Sequence, residues 1–263
     1  MTSTRITRER RGHVTLIGLN RPEKRNAFDL EMLQAFAKAV ADADGDPEVR
    51  CLVVFAHGDH FTGGLDLANV APAFMQADGP RTLFAAGGID PLGVHGPARR
   101  TPLVTAVHGR CLTLGIELLL ASDIGIAAAD ARFAQIEIKR GIFPFGGATW
   151  RLPQTAGRSN AMRWLLTGDE FDAAEALRLG LVQEVVPLGE QMARAIELAE
   201  TIGHQAPLGV RATLESARLA ELKGPEAAAA ALTPQLHELA ASEDAREGMM
   251  SFLERRVARF VGR

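Results

Sequence analysis

Hydrophobic and polar positions follow two different periods along the first part of the chain. Residues 13–19 alternate with period two and include β-branched side chains, which predicts a strand. From Asp29 onwards, apolar residues recur at helical spacing until the turn at 44–47, so we expect an amphipathic helix there. The continuous apolar run at 51–55 then predicts a buried strand.

Strand and helix patterns continue to alternate beyond residue 100. They predict a strand at 103–107, a helix at 114–121 and a strand at 124–127. This alternation favours α/β architecture with mainly parallel pairing. After Leu188 the sequence is rich in Ala, Glu and Arg and predicts helices near 191–204, 208–222 and 242–260. We therefore expect an α/β core over residues 1–188 and a C-terminal helical region over 189–263.

One segment, 87–97, departs from both periods. It holds four glycines and two prolines, which predicts a long irregular loop. A lid or pocket wall would explain this composition, and simple disorder would explain it equally well.

Composition narrows the class of protein. The 263 residues are 47% hydrophobic and 23% charged, as in ordinary globular proteins. The net charge of −3 gives no general reason to bind nucleic acid or an anionic membrane. Because no secretory signal and no apolar run of about 18 residues is visible, we expect a soluble cytoplasmic protein.

Candidate chemistry centres on two glutamates in apolar surroundings. Glu117 lies within the predicted helix 114–121, and Glu137 ends the segment 131–137. A carboxylate removed from water is destabilised unless its pKa rises, and such groups suit proton transfer near neutral pH. Pairing with an arginine or capping of a helix would also explain each glutamate taken singly.

Several other chemistries lack their motifs. The chain has no phosphate-binding G-x-x-x-x-G-K-[ST] loop, no G-x-G-x-x-G after the first strand and no G-x-S-x-G elbow. His57 and His60 have a spacing seen in metal ligands, but no third ligand is evident nearby, so we expect no metal site.

An ordered set of segments resembles the crotonase (enoyl-CoA hydratase/isomerase) superfamily. The segments run from Asn20 to Ala27, from Phe61 to Leu67, from Val107 to Glu117, from Phe133 to Glu137 and from Ala173 to Val182. The resemblance covers the chain from about Val14 to Phe260. It implies a spiral of repeated ββα units with a C-terminal helical extension that serves oligomerisation and covers the pocket.

The resemblance also implies an activity, the reversible syn addition of water to a 2-trans-enoyl-CoA. The backbone N–H groups of Leu65 and Leu114 would form an oxyanion hole for the thioester oxygen. Glu117 would activate the water, and Glu137 would donate the proton. Coenzyme A would be part of the substrate, and no separate cofactor is implied.

Further substrate contacts are implied by position in the matching motifs. They would come from Arg25, Ala27, Gly63, Gly64, Leu65, Asp66, Leu67, Gly115, Phe145 and Arg255. A solvent-exposed charge would explain Arg255 equally well. The family implies a homotrimer or a dimer of trimers, with neither a nucleic acid nor a membrane as partner.

Three departures from the family pattern leave other reactions open. Thr113 and Leu114 replace a more usual glycine-rich run, Ile136 stands where proline often precedes the second glutamate, and Phe145 occupies a position that is commonly glycine. An enoyl-CoA delta-isomerase or another crotonase-type acyl-CoA enzyme is therefore the alternative. An RNA-binding relative is a further one, although the acidic balance disfavours it.

Overall fold

Two sheets form the frame of the molecule. The computed structural model describes residues 4–74, 83–84 and 87–263, and in these ranges one sheet has six strands and the other three. In spatial order, the strands of the large sheet are β1 (Ile6–Arg11), β2 (Val14–Leu19), β3 (Cys51–Ala56), β4 (Leu103–Val107), β6 (Ile124–Ala128) and β9 (Glu184–Val186). β1 pairs antiparallel with β2, and every other pair in this sheet is parallel.

The small sheet comprises β5 (Arg110–Leu112), β7 (Arg132–Ala134) and β8 (Phe171–Asp172). β5 and β7 are parallel, and an isolated bridge from Thr62 to Cys111 adds a further parallel pairing beside β5. Successive passes of the chain thus place one strand in the large sheet and the following stretch in the small one. This confirms the predicted α/β architecture with mainly parallel pairing and repeated ββα units.

Helices cover both faces of the large sheet. They are α1 (Leu30–Asp44), α2 (Leu67–Phe74), α3 (Leu114–Ala121), α4 (Ala148–Ala156), α5 (Arg158–Thr167), α6 (Ala173–Arg178), α7 (Gln191–Gly203), α8 (Pro207–Lys223), α9 (Pro225–Ala240) and α10 (Glu243–Glu254). Short 3-10 helices span Pro22–Lys24 and Ile136–Arg140. No helix within the described ranges is long and apolar enough to cross a membrane.

The core explains why β3 reads as a continuous apolar run. Phe36 of α1 and Ile116 of α3 belong to one buried cluster, while Ala195 and Ala199 of α7 pack with Val14 and other strand residues in a second cluster. Strands that are buried on both faces need no polar alternation. The predicted C-terminal region begins with α7, which packs on the large sheet of the core. The division between residues 188 and 189 stays a prediction.

Most predicted elements are confirmed, and one helix boundary was wrong. The helix expected at 242–260 ends at Glu254, because Arg255 takes a left-handed conformation with φ 54° and its N–H bonds the Phe252 carbonyl. The charged residues 8–11 are exposed in the edge strand β1. Charged side chains on an exposed edge discourage pairing with other sheets.

Candidate active site

The two glutamates meet because β5 and β7 are neighbours. Leu112 pairs with Ala134 at the carboxyl ends of these parallel strands. The chain then enters α3, which carries Glu117, and the 3-10 helix Ile136–Arg140, which carries Glu137. Both side chains line one cavity of about 210 Å³. Its other lining residues are Gly63, Leu65, Leu67, Thr113, Leu114, Ile136, Arg140, Ile142 and Phe145.

The Glu117 carboxylate is buried and held by backbone amides. Glu117 is only 4% exposed. Its Oε1 accepts hydrogen bonds from the N–H groups of Gly146, at 2.6 Å, and Ala148, at 3.4 Å. Burial raises the pKa of Glu117 to about 7, although these two bonds and the charge of Arg151 oppose the rise. Glu117 can therefore accept a proton near neutral pH.

Glu137 is also buried, at 8% exposure. Burial raises its pKa to about 8, its own backbone N–H opposes the rise, and the neighbouring charge of Glu117 adds to it. Because the two buried carboxylates repel each other, the pair favours the state in which one carboxyl keeps its proton while the other is ionised. One base and one acid then face the same cavity.

Gln135 supports Glu137 and was not identified from the sequence. Its side chain is fully buried, and we assign its amide so that the nitrogen, rather than the oxygen, faces the surrounding acceptors. In this orientation the nitrogen donates to both Glu137 carboxylate oxygens and to the Thr113 carbonyl, each at 3.2 Å. A glutamine two residues before the predicted acid was the available signal.

Two backbone N–H groups are left for a ligand. In the described part of the chain, neither Leu65 N–H nor Leu114 N–H donates to another group. On either side of Leu65, Gly64 N–H donates to Thr62 Oγ1 and Asp66 N–H to the Phe28 carbonyl. Both leucines line the cavity, and Leu114 opens α3, where free N–H groups and the helix dipole favour negative charge.

Thr113 and Gly64 bring these two donors together. Thr113 has φ 51° and ψ −111°, a conformation that is costly for a β-branched residue. A Cβ on Gly64 would overlap Thr113 Oγ1, so the close approach of the two loops requires glycine there. A threonine at position 113 thus depends on glycine at position 64.

The other predicted contacts have two kinds of position. Gly63, Leu67 and Phe145 line the cavity, whereas Arg25, Ala27, Gly64, Asp66, Gly115 and Arg255 do not form its wall. Arg25 and Arg255 are exposed, and Ala27 is half-buried. Their roles in binding coenzyme A stay predictions.

Asp66 and Gly115 have structural contacts that the sequence did not indicate. The Asp66 carboxylate accepts hydrogen bonds from Arg21, at 2.8 Å, and Asn69, at 2.7 Å, and the bond from Arg21 joins the loop at 20–27 to the loop at 61–67. A Cβ on Gly115 would lie 2.6 Å from Thr62 Cγ2, so this glycine allows α3 to pack on the loop.

A second, smaller space adjoins the cavity. It has a volume of about 20 Å³, and Leu65, Leu114, Glu117 and Phe145 line both spaces. About one water molecule would fill it. Leu92, Val94 and His95 form its far side, which confirms the prediction that segment 87–97 forms a pocket wall.

The two loop histidines have other partners than a metal. His57 Nε2 lies 2.8 Å from Thr7 Oγ1, and His60 Nδ1 accepts a hydrogen bond from the Arg110 N–H at 3.3 Å. Among residues 4–74, 83–84 and 87–263, no three His, Cys, Asp or Glu side chains form a cluster able to hold a metal ion.

Comparison with known proteins gives a consistent result. The model of the enoyl-CoA hydratase/isomerase family matches residues 9–263. The chain is 36% identical to enoyl-CoA hydratase EchA19 of Mycobacterium tuberculosis, over 97% of this chain and 96% of that protein. It is 32% identical to the 2,3-dehydroadipyl-CoA hydratase of Escherichia coli over the full length of both. The crystal structure of a probable enoyl-CoA hydratase/isomerase from Mycobacterium abscessus superposes with a TM-score of 0.95 at 53% identity, covering 98% of this chain and 99% of the other.

Proposed function

The chain belongs to the enoyl-CoA hydratase/isomerase family and is an enoyl-CoA hydratase, and we propose that it hydrates a 2-trans-enoyl-CoA through Glu117 and Glu137. The resemblance seen in the sequence is thereby confirmed, as is the crotonase fold. The observation that supports the mechanism is that one cavity is shared by two buried carboxyls of raised pKa and by two N–H groups that donate to no other group among the described residues.

The thioester carbonyl would accept hydrogen bonds from Leu65 N–H and Leu114 N–H. These donors withdraw electron density from the conjugated double bond, so C3 becomes electrophilic. One preorganised donor of this kind is typically worth about 3 kcal/mol in the transition state. Backbone donors need no special side chain, so leucine can occupy both positions.

Water is then added across the double bond. Ionised Glu117 takes a proton from water as the water oxygen bonds to C3. The electrons of the double bond move towards the thioester, and the negative charge reaches the oxygen held by the two N–H groups. C2 next takes the proton of Glu137, which leaves Glu117 protonated and Glu137 ionised. Proton exchange with solvent restores the starting state, and the same steps run in reverse for dehydration.

Both carboxyls line the same cavity, as addition to one face of the double bond would require. This geometry supports syn addition. The elevated pKa values of about 7 and about 8 let one group be ionised while the other is protonated near neutral pH.

The remaining part of coenzyme A would extend out of the cavity. Arg140 and Ile142 line it from the exposed side and add to the predicted contacts of Arg25, Ala27 and Arg255. Arg140 provides a positive charge near the cavity, which suits a phosphate-bearing ligand. The partner proposed for this site is an acyl-CoA thioester.

The C-terminal helices support self-association. Several large apolar side chains of α9 and α10 are exposed, among them Leu236 at 63%, Met249 at 66% and Phe252 at 82%. Leu232, Leu236 and Leu239 line one groove between α8 and α9, and contiguous exposed apolar surface commonly marks an interface. We therefore propose that these helices are covered by neighbouring copies in a homotrimer or a dimer of trimers.

The proposal is tested by the products formed from two substrates. Wild-type protein is incubated with crotonyl-CoA and, separately, with a 3-enoyl-CoA, and the products are separated and identified. Formation of 3-hydroxybutyryl-CoA from crotonyl-CoA would support hydration. If crotonyl-CoA is unchanged and the 3-enoyl-CoA is converted to its conjugated isomer, the protein is an isomerase and the hydratase proposal fails.

A further inference from the structure

Arg151 of α4 connects two parts of the site that are distant in sequence. Its Nη1 donates to the Leu92 carbonyl at 2.6 Å, and its Nη2 donates to the Gly93 carbonyl at 3.1 Å. The segment just before Arg151 holds the carboxylate of Glu117 through the N–H groups of Gly146 and Ala148. Resting on the proposed hydratase function, we infer that Arg151 is a positioning residue that fixes the pocket wall against the helix end holding Glu117.

The pocket wall that Arg151 contacts is held by hydrogen bonds of its own. Asp90 is buried, and its carboxylate accepts hydrogen bonds from the N–H groups of Leu92, Val94 and His95 at 2.8, 3.0 and 2.9 Å. Asp90 therefore sets the internal shape of the wall. Arg151 sets where that wall stands relative to α4, because it holds the two outward carbonyls of the turn.

Close packing transmits this position to Glu117. A Cβ on Gly146 would lie 2.7 Å from Leu92 Cδ1 and would overlap the Glu117 carboxylate. Gly146 is thus enclosed between the wall and the base. A Cβ on Gly147 would lie 2.5 Å from Arg151 Nη1, so the guanidinium passes directly over the turn that supplies the amides. A shift of the wall by a fraction of an ångström would alter the bond from Gly146 to Glu117.

The charge of Arg151, like its hydrogen bonds, supports Glu117 as the base. It lowers the pKa of Glu117 and so favours the ionised base, while burial, the largest influence, and Asp90 raise that pKa. The other charged or titratable groups around Glu117 are Glu137, Arg140 and His95. Glu221 of α8 and Arg99 lie near Arg151.

Two variants separate geometry from charge. Arg151→Lys keeps a positive charge but cannot bond both carbonyls with a planar fork. Arg151→Met removes the charge and the bonds while retaining a long side chain. Arg158→Met, in an exposed arginine at the start of α5, is the matched control.

The readout is kcat/KM for crotonyl-CoA as a function of pH, with thermal unfolding recorded for each variant. We expect Arg151→Met to lower kcat/KM about 10-fold or more, since small misplacements at a reacting centre can cost about 100-fold. The acid limb of its pH profile should move to higher pH, because loss of the positive charge raises the pKa of Glu117. Arg151→Lys should keep the wild-type acid limb and show a smaller loss, and Arg158→Met should match wild type.

The outcomes are separable from failure of the proposed function. Wild-type protein without hydratase activity would overturn the function itself. The inference alone would be overturned if wild type is active and the folded Arg151→Met variant keeps the wild-type acid limb and loses less than about 3-fold in kcat/KM. An equal loss in Arg151→Lys and Arg151→Met with no change in either limb would limit Arg151 to structural stabilisation and would also contradict it.

Discussion

Glu117 Oε1 accepts a 2.6 Å hydrogen bond from the backbone N–H of Gly146, which lies 29 positions later in the chain. This contact joins the helix that carries the base to the loop that leads into α4. It also leaves no room for a side chain at position 146, because a Cβ there would overlap the Glu117 carboxylate.

Gly146→Ala should therefore reduce activity strongly. The added methyl group would push the carboxylate away from its two amide donors and towards the substrate. We expect kcat to fall about 100-fold, as for misplaced catalytic groups generally. Steady-state hydration of crotonyl-CoA measures this effect. Gly209→Ala, at a glycine of α8 without a positive φ whose Cβ would meet only Ala206 Cβ at 3.9 Å, is the control, and comparable losses in both variants would contradict the explanation.

The pH dependence follows from the two raised pKa values. Glu117 must be ionised, so kcat/KM should rise with pH through about 7, and Glu137 must be protonated, so kcat/KM should fall through about 8. The result is a narrow bell-shaped profile. Rates measured from about pH 5 to about pH 10 would test it, and a profile that is flat across that range would show that neither group titrates as described.

Thr113 and Gly64 provide a test by double substitution. Gly64→Ala should displace Leu65 N–H, because the new Cβ would overlap Thr113 Oγ1, and we expect a loss of about 100-fold in kcat/KM. Adding Thr113→Gly removes the overlap and relieves the strained φ of 51° at position 113. Part of the lost rate should return in the double variant.

Gly64 itself has φ 94°, so alanine is strained there even without an overlap. Gly12→Ala, at φ 55° with open space around its Cβ position, is the control for this strain. The change in its thermal stability measures what an alanine costs at a positive φ when no overlap is present. A double variant no more active than Gly64→Ala would show that Thr113 does not cause the loss.

Phe145 should limit the length of the acyl group. Its side chain lines both the cavity and the adjoining space of about 20 Å³, so truncation should join the two. Phe145→Ala is expected to raise kcat/KM for a longer enoyl-CoA relative to crotonyl-CoA by about 10-fold, a ratio typical of a few methylene contacts. Phe143→Ala, at a phenylalanine that is 61% exposed, is the control. No change in the ratio would mean that the acyl chain takes another path.

The sequence predicted the frame of the site better than its supports. Apolar runs and helical spacing located β2, β3, β4, α1 and α3, because these elements bury continuous or periodic apolar faces. The isolated position of Glu117 among apolar residues was a direct signal of a buried carboxylate. By contrast, β5, β7 and β8 have only two or three residues each, too few for a period to be visible.

Supporting contacts were hidden for a different reason. Arg151 acts through partners far away in the chain, since 59 positions separate it from Leu92, and Gln135 also reaches the distant Thr113 carbonyl. Local patterns carry no information about such pairs. The motif around Asp66 implied a substrate contact, and it did not indicate that the Asp66 carboxylate pairs with Arg21.

The central claim is that Glu117 and Glu137 divide the work of base and acid. The most direct measurement is the hydration rate of crotonyl-CoA by wild type, Glu117→Gln and Glu137→Gln, with exposed Glu190→Gln as control, followed through the absorbance of the conjugated thioester. Both active-site variants should be folded and slower by at least about 100-fold, and Glu190→Gln should match wild type. If either folded active-site variant retains more than about a tenth of the wild-type rate, the two-carboxylate account is contradicted.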